Sequence, residues 1–325
     1  MADLTTHYLG LKLRNPLIVS SSGLTSTVEK IKQLEELGAG AVVLKSLFEE
    51  QIKAEAGLML EPTPYPEAQD YILQYTKSNS LEEYLQLIEK AKQSVRIPVI
   101  ASINCISASE WTSFAEDIEN AGADAIELNI YFLPTDKDSP SEKNEELYYN
   151  VITKVRKKTR IPVSVKIGMH FTNLVKTIHN LYVRGANGVV IFNRFYAPDI
   201  DIDKMKITAA EVFSSPSDIR NSLRWVGIIS DQVENIDIAA STGVHDGAGA
   251  IKQILAGAKA VQLCSVLYKK GVEKLAVIKN DIESWMGQHQ FDSIEEFRGK
   301  LNYRNIPDPT VYERSQFMKY FSSHV

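Results

Sequence analysis

Apolar runs recur along this chain at near-regular intervals, and four of them open on the same phrase. These are Gly38-Ala39-Gly40-Ala41-Val42-Val43, Gly122-Ala123-Asp124-Ala125-Ile126-Glu127, Gly185-Ala186-Asn187-Gly188-Val189-Val190 and Gly257-Ala258-Lys259-Ala260-Val261-Gln262. In each, a helical stretch ends on a Gly able to take the left-handed cap, and a small-residue turn feeds an apolar, β-branched run. That order is the helix-to-strand joint of a parallel sheet. Four further apolar runs lie between them: Pro16 to Ser22, Ile97 to Asn104, Ile161 to Gly168 and Ile236 to Gly243. Eight strands alternating with helices over roughly 250 residues predict an α/β fold, the (β/α)8 TIM barrel, with its chemistry where the strands end.

Amphipathic or capped stretches predict helices at Thr27 to Leu37, Leu81 to Ser94, Ser109 to Asn120, Glu142 to Lys158, Thr172 to Arg184 and Asp246 to Ala256. Asp281 to Gly299 reads as a closing helical region, and the tail from Leu301, with Pro307 and Pro309, as surface drape. Two segments are too long and irregular for simple connections: Glu49 to Ser80, which holds Gly57, Pro62, Pro64 and Pro66, and Phe195 to Asn235. Both follow strand ends, so both are expected to overhang the catalytic face as excursions or lids. No low-complexity linker divides the chain, and residues 1–325 are read as a single domain.

The formal net charge of -5 gives no electrostatic basis for a nucleic-acid partner or an anionic membrane surface, and a small molecule is the expected ligand. No apolar run approaches the roughly 18 to 20 residues of a spanning helix, and a charged-then-apolar leader is not seen, so the expected location is cytoplasmic. Cys105 and Cys264 end different strands in this reading, which fits reduced thiols. The six histidines, His7, His170, His179, His245, His289 and His324, have no metal-ligand spacing, and no metal is expected. No Gly-x-Gly-x-x-Gly follows a strand, which removes a Rossmann nucleotide site.

The strand ends carry the candidate chemistry. In order they present Ser21, Ser22 and Gly23; Lys45 and Ser46; Asn104; Asn129; Lys166; Asn193 and Arg194; Thr242 and Gly243; then Cys264 and Ser265. Amides and ammonium groups left unpartnered at such positions cost a few kcal/mol each, so a ring of them implies a polar ligand. After strands seven and eight, Ser241-Thr242-Gly243-Val244, with Gly247 and Gly249 opening the next helix, and Cys264-Ser265 have the makings of a phosphate site. Glycine lets the backbone come close, and N–H groups at a helix start face the anion. A phosphorylated cofactor or substrate follows.

At this point the residues resemble a known family. Asn15-Pro16-Leu17-Ile18-Val19-Ser20-Ser21-Ser22-Gly23, Leu44-Lys45-Ser46, Ser102-Ile103-Asn104, Glu127-Leu128-Asn129, Val165-Lys166 and Leu255-Ala256-Gly257-Ala258-Lys259-Ala260-Val261-Gln262 look like dihydroorotate dehydrogenase, in order along almost the whole chain. The short approach to strand one is similar to the soluble, cytosolic class. The resemblance implies an FMN oxidoreductase that converts dihydroorotate to orotate in pyrimidine (UMP) biosynthesis, with a homodimer as the expected assembly. It places Ser21, Ser22 and Gly23 along the flavin, with Ser46 and Asn104 beside it. Lys45 touches both flavin and substrate, and Lys166 sits at the flavin N1 and O2 edge, where a cation stabilises the reduced anion. Asn129, Asn193 and Arg194 face the pyrimidine, and Gly243, Val244, Cys264 and Ser265 hold the phosphate.

The departures concern the substrate half. After strand four the family's Asn-x-Ser-(Cys or Ser)-Pro-Asn is replaced by Asn129-Ile130-Tyr131-Phe132-Leu133-Pro134-Thr135, so Phe132 stands where the catalytic base is expected. The Gly-Gly expected before strand seven is replaced around Phe213-Ser214-Ser215-Pro216, and Arg194 follows Asn193 in place of a small hydroxyl residue. Tyr131 and Cys105 are the nearest substitute bases by sequence, alongside Lys45 as the cation of the catalytic set; Thr135 and Asp136 are further neighbours. Three alternatives stay open: an FMN barrel enzyme acting on another substrate, a flavin-binding protein without turnover, and a non-flavin phosphate-binding lyase or isomerase.

Overall fold

The structure is a computed structural model and describes residues 2–48, 66–105, 114–194 and 197–313. Eight parallel strands form its centre: β1 (Leu17–Val19), β2 (Ala41–Val43), β3 (Val99–Cys105), β4 (Ala125–Ile130), β5 (Val163–Ile167), β6 (Gly188–Ile191), β7 (Asp237–Ser241) and β8 (Ala260–Leu263). Each pairs with the next, as in Val42↔Val99 and Lys166↔Val190, and Val261↔Leu17 closes the ring. Strand two resumes after a break as Leu47–Phe48, again on β3 through Leu47↔Ile103. Lys45 and Ser46 lie in that break.

The surrounding helices are α1 (Val28–Glu36), α2 (Pro66–Ser94), α3 (Phe114–Asn120), α4 (Ser141–Arg156), α5 (Leu174–Val183), α6 (Ile219–Gln232), α7 (Gly247–Ala256) and α8 (Lys274–Gln288). The Gly phrase does what its composition requires: Gly38, Gly122, Gly185 and Gly257 all have positive φ, from 91° to 119°. Only Gly takes that conformation without a Cβ penalty.

Side-chain alternation divides the core in two. Leu17, Val19, Val42, Ile126 and Leu128 face outward among the helices, while Ile18, Ala41, Val43, Ile100, Ala125, Val190, Ala239 and Ala260 face inward. The inward set rests on Tyr8, Leu9 and Leu13 of an N-terminal hairpin, Thr6–Tyr8 with Leu11–Leu13, which plugs the lower end. Two residues further along, most of the inward positions become polar, namely Ser20, Ser102, Glu127, Lys166, Ser241 and Gln262, all buried. The barrel thus has an apolar lower half and a polar upper one.

Three expectations on element layout are corrected. Phe195 to Asn235 is not irregular throughout, because its second half is α6, opened by a Ser215/Asp218 capping box with Pro216 at its start and burying Ser222, Val226, Gly227 and Ile229. What remains as excursion includes a second hairpin, Pro198–Asp201 with Lys206–Ala209. Asp281 to Gly299 is likewise the later part of α8 followed by a single turn at Ile294–Glu296. Glu49 to Ser80 is corrected as well: from Pro66 onward it is helical, the first half of α2, with Leu81 to Ser94 the second half. The first part of the Glu49 excursion, the start of the Ser109 helix and the tail beyond Glu313 lie outside the described residues. Among the described residues no helix is long and apolar enough to cross a membrane.

Candidate active site

The upper strand ends surround a cavity of about 530 Å³. Its floor is a buried polar network. The Lys166 ammonium donates to Ser20 Oγ and to Gln262 Oε1, each at 3.0 Å, and lies 3.8 Å from Glu127 Oε1. Gln262 Nε2 donates to Glu127 Oε2 at 2.5 Å, and Ser20 Oγ to Gln262 Oε1 at 3.0 Å. Since β4 and β8 are not neighbours, the Glu127 to Gln262 bond crosses the barrel interior. Charges this dry persist only when paired and hydrogen-bonded.

A second chain of hydroxyls fixes the end of strand two. Ser46 N donates to Ser21 Oγ at 2.9 Å, the two hydroxyls share a bond at 2.9 Å, and Ser46 Oγ reaches Ser102 Oγ at 2.7 Å. The Tyr84 hydroxyl accepts from Ser102 N and donates to Ser102 O. Burial pushes its phenol far above the ordinary range, which keeps it a donor. Across the mouth, Asn193 Nδ2 donates to Asn129 Oδ1 at 2.9 Å, and Asn104 lies beside Asn129 in register.

The wall after β7 and β8 is shaped by backbone. Thr242 and Gly243 both have positive φ, 73° and 86°, and Thr242 Oγ1 donates to Phe192 O at 3.0 Å. Left-handed backbone is costly for a β-branched residue, and such strain concentrates at ligand sites. A Cβ on Gly243 would lie 2.1 Å from Ile219 N, so the start of α6 touches this turn directly. Ser214 N donates to Ser265 Oγ at 3.0 Å, and Ser214 Oγ shares a bond with His245 Nε2 at 2.9 Å. Burial first, then Lys269 and Lys270, push the His245 pKa down. Phe213 stacks on Tyr268 at 5.3 Å, both lining the cavity.

Of the residues expected from sequence, Ser21, Ser22, Gly23, Lys166, Asn193, Arg194, Gly243, Val244, Cys264 and Ser265 line this one cavity. Arg194 does so with its guanidinium committed: Nη1 to Asp218 at 2.8 Å, Nε and Nη2 to the carbonyls of Val212 and Glu211. Lys45 is exposed, and with Ser46, Asn104 and Asn129 it stands to the side of the lining, at strands two to four. Burial pushes both the Cys264 thiol and the Tyr131 phenol up. Phe132 and Leu133 are exposed in the irregular stretch after β4. The Cys105 side chain lies outside the described residues.

Sequence reasoning assigned no role to Ser20, Glu127, Gln262, Ser214, His245 or the Phe213–Tyr268 pair. A signal for the first three existed: Glu127 and Gln262 stand two positions before Asn129 and Cys264, and Ser20 two after the inward Ile18, so all share the inward face.

The family model described as dihydroorotate dehydrogenase matches residues 3–286. The chain is 29% identical over 307 residues to the catalytic subunit of dihydroorotate dehydrogenase B (NAD(+)) of Thermoplasma volcanium, covering 92% of this chain and 98% of that one. It is 27% identical over 311 residues to the protein of the same name from Methanocaldococcus jannaschii, covering 91% and 97%. With the closed parallel barrel and the polar cavity at its strand ends, the match over nearly the whole length establishes that the chain belongs to the dihydroorotate dehydrogenase family, flavoprotein oxidoreductases that act on CH–CH groups.

Proposed function

We propose that this chain is an FMN-dependent dihydroorotate dehydrogenase that oxidises dihydroorotate to orotate, as a cytoplasmic homodimer. The observation that carries the reading is the lining of the 530 Å³ cavity, which combines a buried ammonium with the strained Thr242-Gly243 turn. Lys166 uses two of its three N–H donors within the floor network, leaving a positive edge toward the cavity. That edge suits a ring system that gains negative charge, and the lining by Gly243, Val244, Cys264 and Ser265 suits a phosphate. FMN, when bound, supplies the hydride acceptor. Ser21, Ser22 and Gly23 would flank it, and Lys45, Asn129 and Asn193 would orient the pyrimidine, whose edge needs donors and acceptors together. The homodimer is supported by the second hairpin, which holds Ile200, Ile202, Met205 and Ile207 in solvent, an apolar cluster of the kind that marks an interface.

One observation favours a second reading, an oxidoreductase for another substrate or a flavoprotein without turnover. By the sequence resemblance Phe132 stands where the family's base is expected, and Arg194 is already spent on the segment from Glu211 to Asp218. Anaerobic mixing with dihydroorotate separates the two. Bleaching of the flavin bands supports the proposed activity; a yellow protein that neither bleaches nor shifts its spectrum with orotate at millimolar concentration refutes it.

A further inference from the structure

We infer that Glu127 is a positioning residue of this site, a buried counter-charge that anchors the Lys166 ammonium and offsets its field at the cavity wall. The inference rests on the proposed flavin site for its consequence, not for its geometry. Glu127 and Lys166 are buried, at 1% and 7% exposure, and Glu127 is the most deeply buried carboxylate among the described residues. Two such groups on adjacent strands of a barrel interior form a unit, since either alone would be an uncompensated charge in low dielectric.

The way they meet is informative. They do not form a tight ion pair: Nζ and Oε1 are 3.8 Å apart, and Gln262 spans them, its carbonyl toward the ammonium and its amide toward the carboxylate. A flipped amide would set like against like, so the pair fixes the Gln262 orientation and Gln262 in turn fixes the lysine. Glu127 Oε1 has no hydrogen bond, although it is fully buried. A carboxylate kept for hydrogen bonding satisfies both oxygens. One left bare beside an ammonium acts as charge. Lys166 then keeps its positive edge at the cavity, with Glu127 behind it reducing the field that edge exerts.

The consequence is that Glu127 opposes the stabilisation that Lys166 gives to a reduced, anionic flavin. Glu127→Gln keeps the shape and removes the charge. The two-electron reduction equilibrium should then rise at least tenfold, about 30 mV, measured by dye equilibration on the holoprotein. Glu127→Asp, which retains the charge and disturbs the packing more, should stay nearer the parent. An unchanged potential in flavin-replete Glu127→Gln, or a larger shift in Glu127→Asp, overturns the inference.

A second measurement needs no flavin. Lys166→Met should lower the melting temperature sharply because it strands the carboxylate, and adding Glu127→Gln should recover most of that loss. Additive effects in this cycle overturn the inference as well. A colourless parent protein would refute the proposed flavin site instead, and the stability cycle would still decide the role of Glu127.

Discussion

Gly243→Ala tests whether the turn after β7 shapes the cavity. The added Cβ would sit 2.1 Å from Ile219 N and 2.6 Å from Asp218 C and Ile219 Cα, all backbone. Ordinary contact is about 3.4 Å or more, so the turn and the start of α6 must separate by roughly 1 Å, more than a packed interior yields freely. The residue must also hold φ +86°, worth about 1–2 kcal/mol against a non-glycine. Adding about 1–3 kcal/mol for the forced backbone shift gives roughly 2–5 kcal/mol in all. At ~2 °C per kcal/mol for a chain of this size, the melting temperature should fall by about 4–10 °C. The displacement reaches the cavity through Asp218, which holds Arg194 at 2.8 Å, so flavin content should drop with stability. Thermal melts by circular dichroism and the ratio of flavin to protein absorbance read both. A fully yellow variant melting within 1 °C of the parent would show that the turn neither packs on α6 as described nor holds the cofactor.

Phe132→Cys should accelerate flavin reduction by dihydroorotate, by up to the roughly 10² to 10⁴ of a positioned base, in stopped-flow traces; an unchanged rate assigns proton removal to another group. The His245 pKa is pushed down in the fold, so its stabilising contribution is complete above the unfolded value near 6.5 and is lost as pH falls below it toward the folded value. Urea midpoints should therefore decline on acidification from pH 6.5, and His245→Gln should flatten that decline; identical pH profiles would refute the assignment. If the proposed homodimer forms through the exposed hairpin, Ile202→Asp should shift light-scattering mass from dimer to monomer with the fold intact; a dimer that persists moves the interface elsewhere.

The eight-strand frame is legible because its joints are local. A positive-φ glycine, a small turn and a β-branched run are set by neighbours in sequence, and Gly38, Gly122, Gly185 and Gly257 each adopt the backbone they announce. The strand-end residues follow from the same frame, since the end of a strand is found once the strand is found. What stays hidden depends on partners far away. Nothing near Arg194 reveals that Asp218 claims its guanidinium, and Glu127 looks like a polar interruption of an apolar run until Gln262 is seen across the barrel. Helix α6 is obscured by its polar first turns and the Ser-Pro-Ser before it, although the same residues form its cap. The N-terminal hairpin escapes because Tyr8, Leu9 and Leu13 read as scattered apolar residues, and only a finished barrel gives them a floor to fill.

Closure of the ring through Leu17 and Val261 also sets a schedule for making the protein. The first strand needs the eighth, which follows some 240 residues later, and the hairpin plug needs both. At about 5–20 residues per second, a ribosome leaves β1 without one of its two neighbours for roughly 12–50 s. During that interval Leu17, Ile18 and Val19 present an open strand edge, the form most prone to pair with another chain. Yield of the native protein is therefore sensitive to the pace of synthesis and to whatever shields that edge, as well as to the stability of the finished barrel.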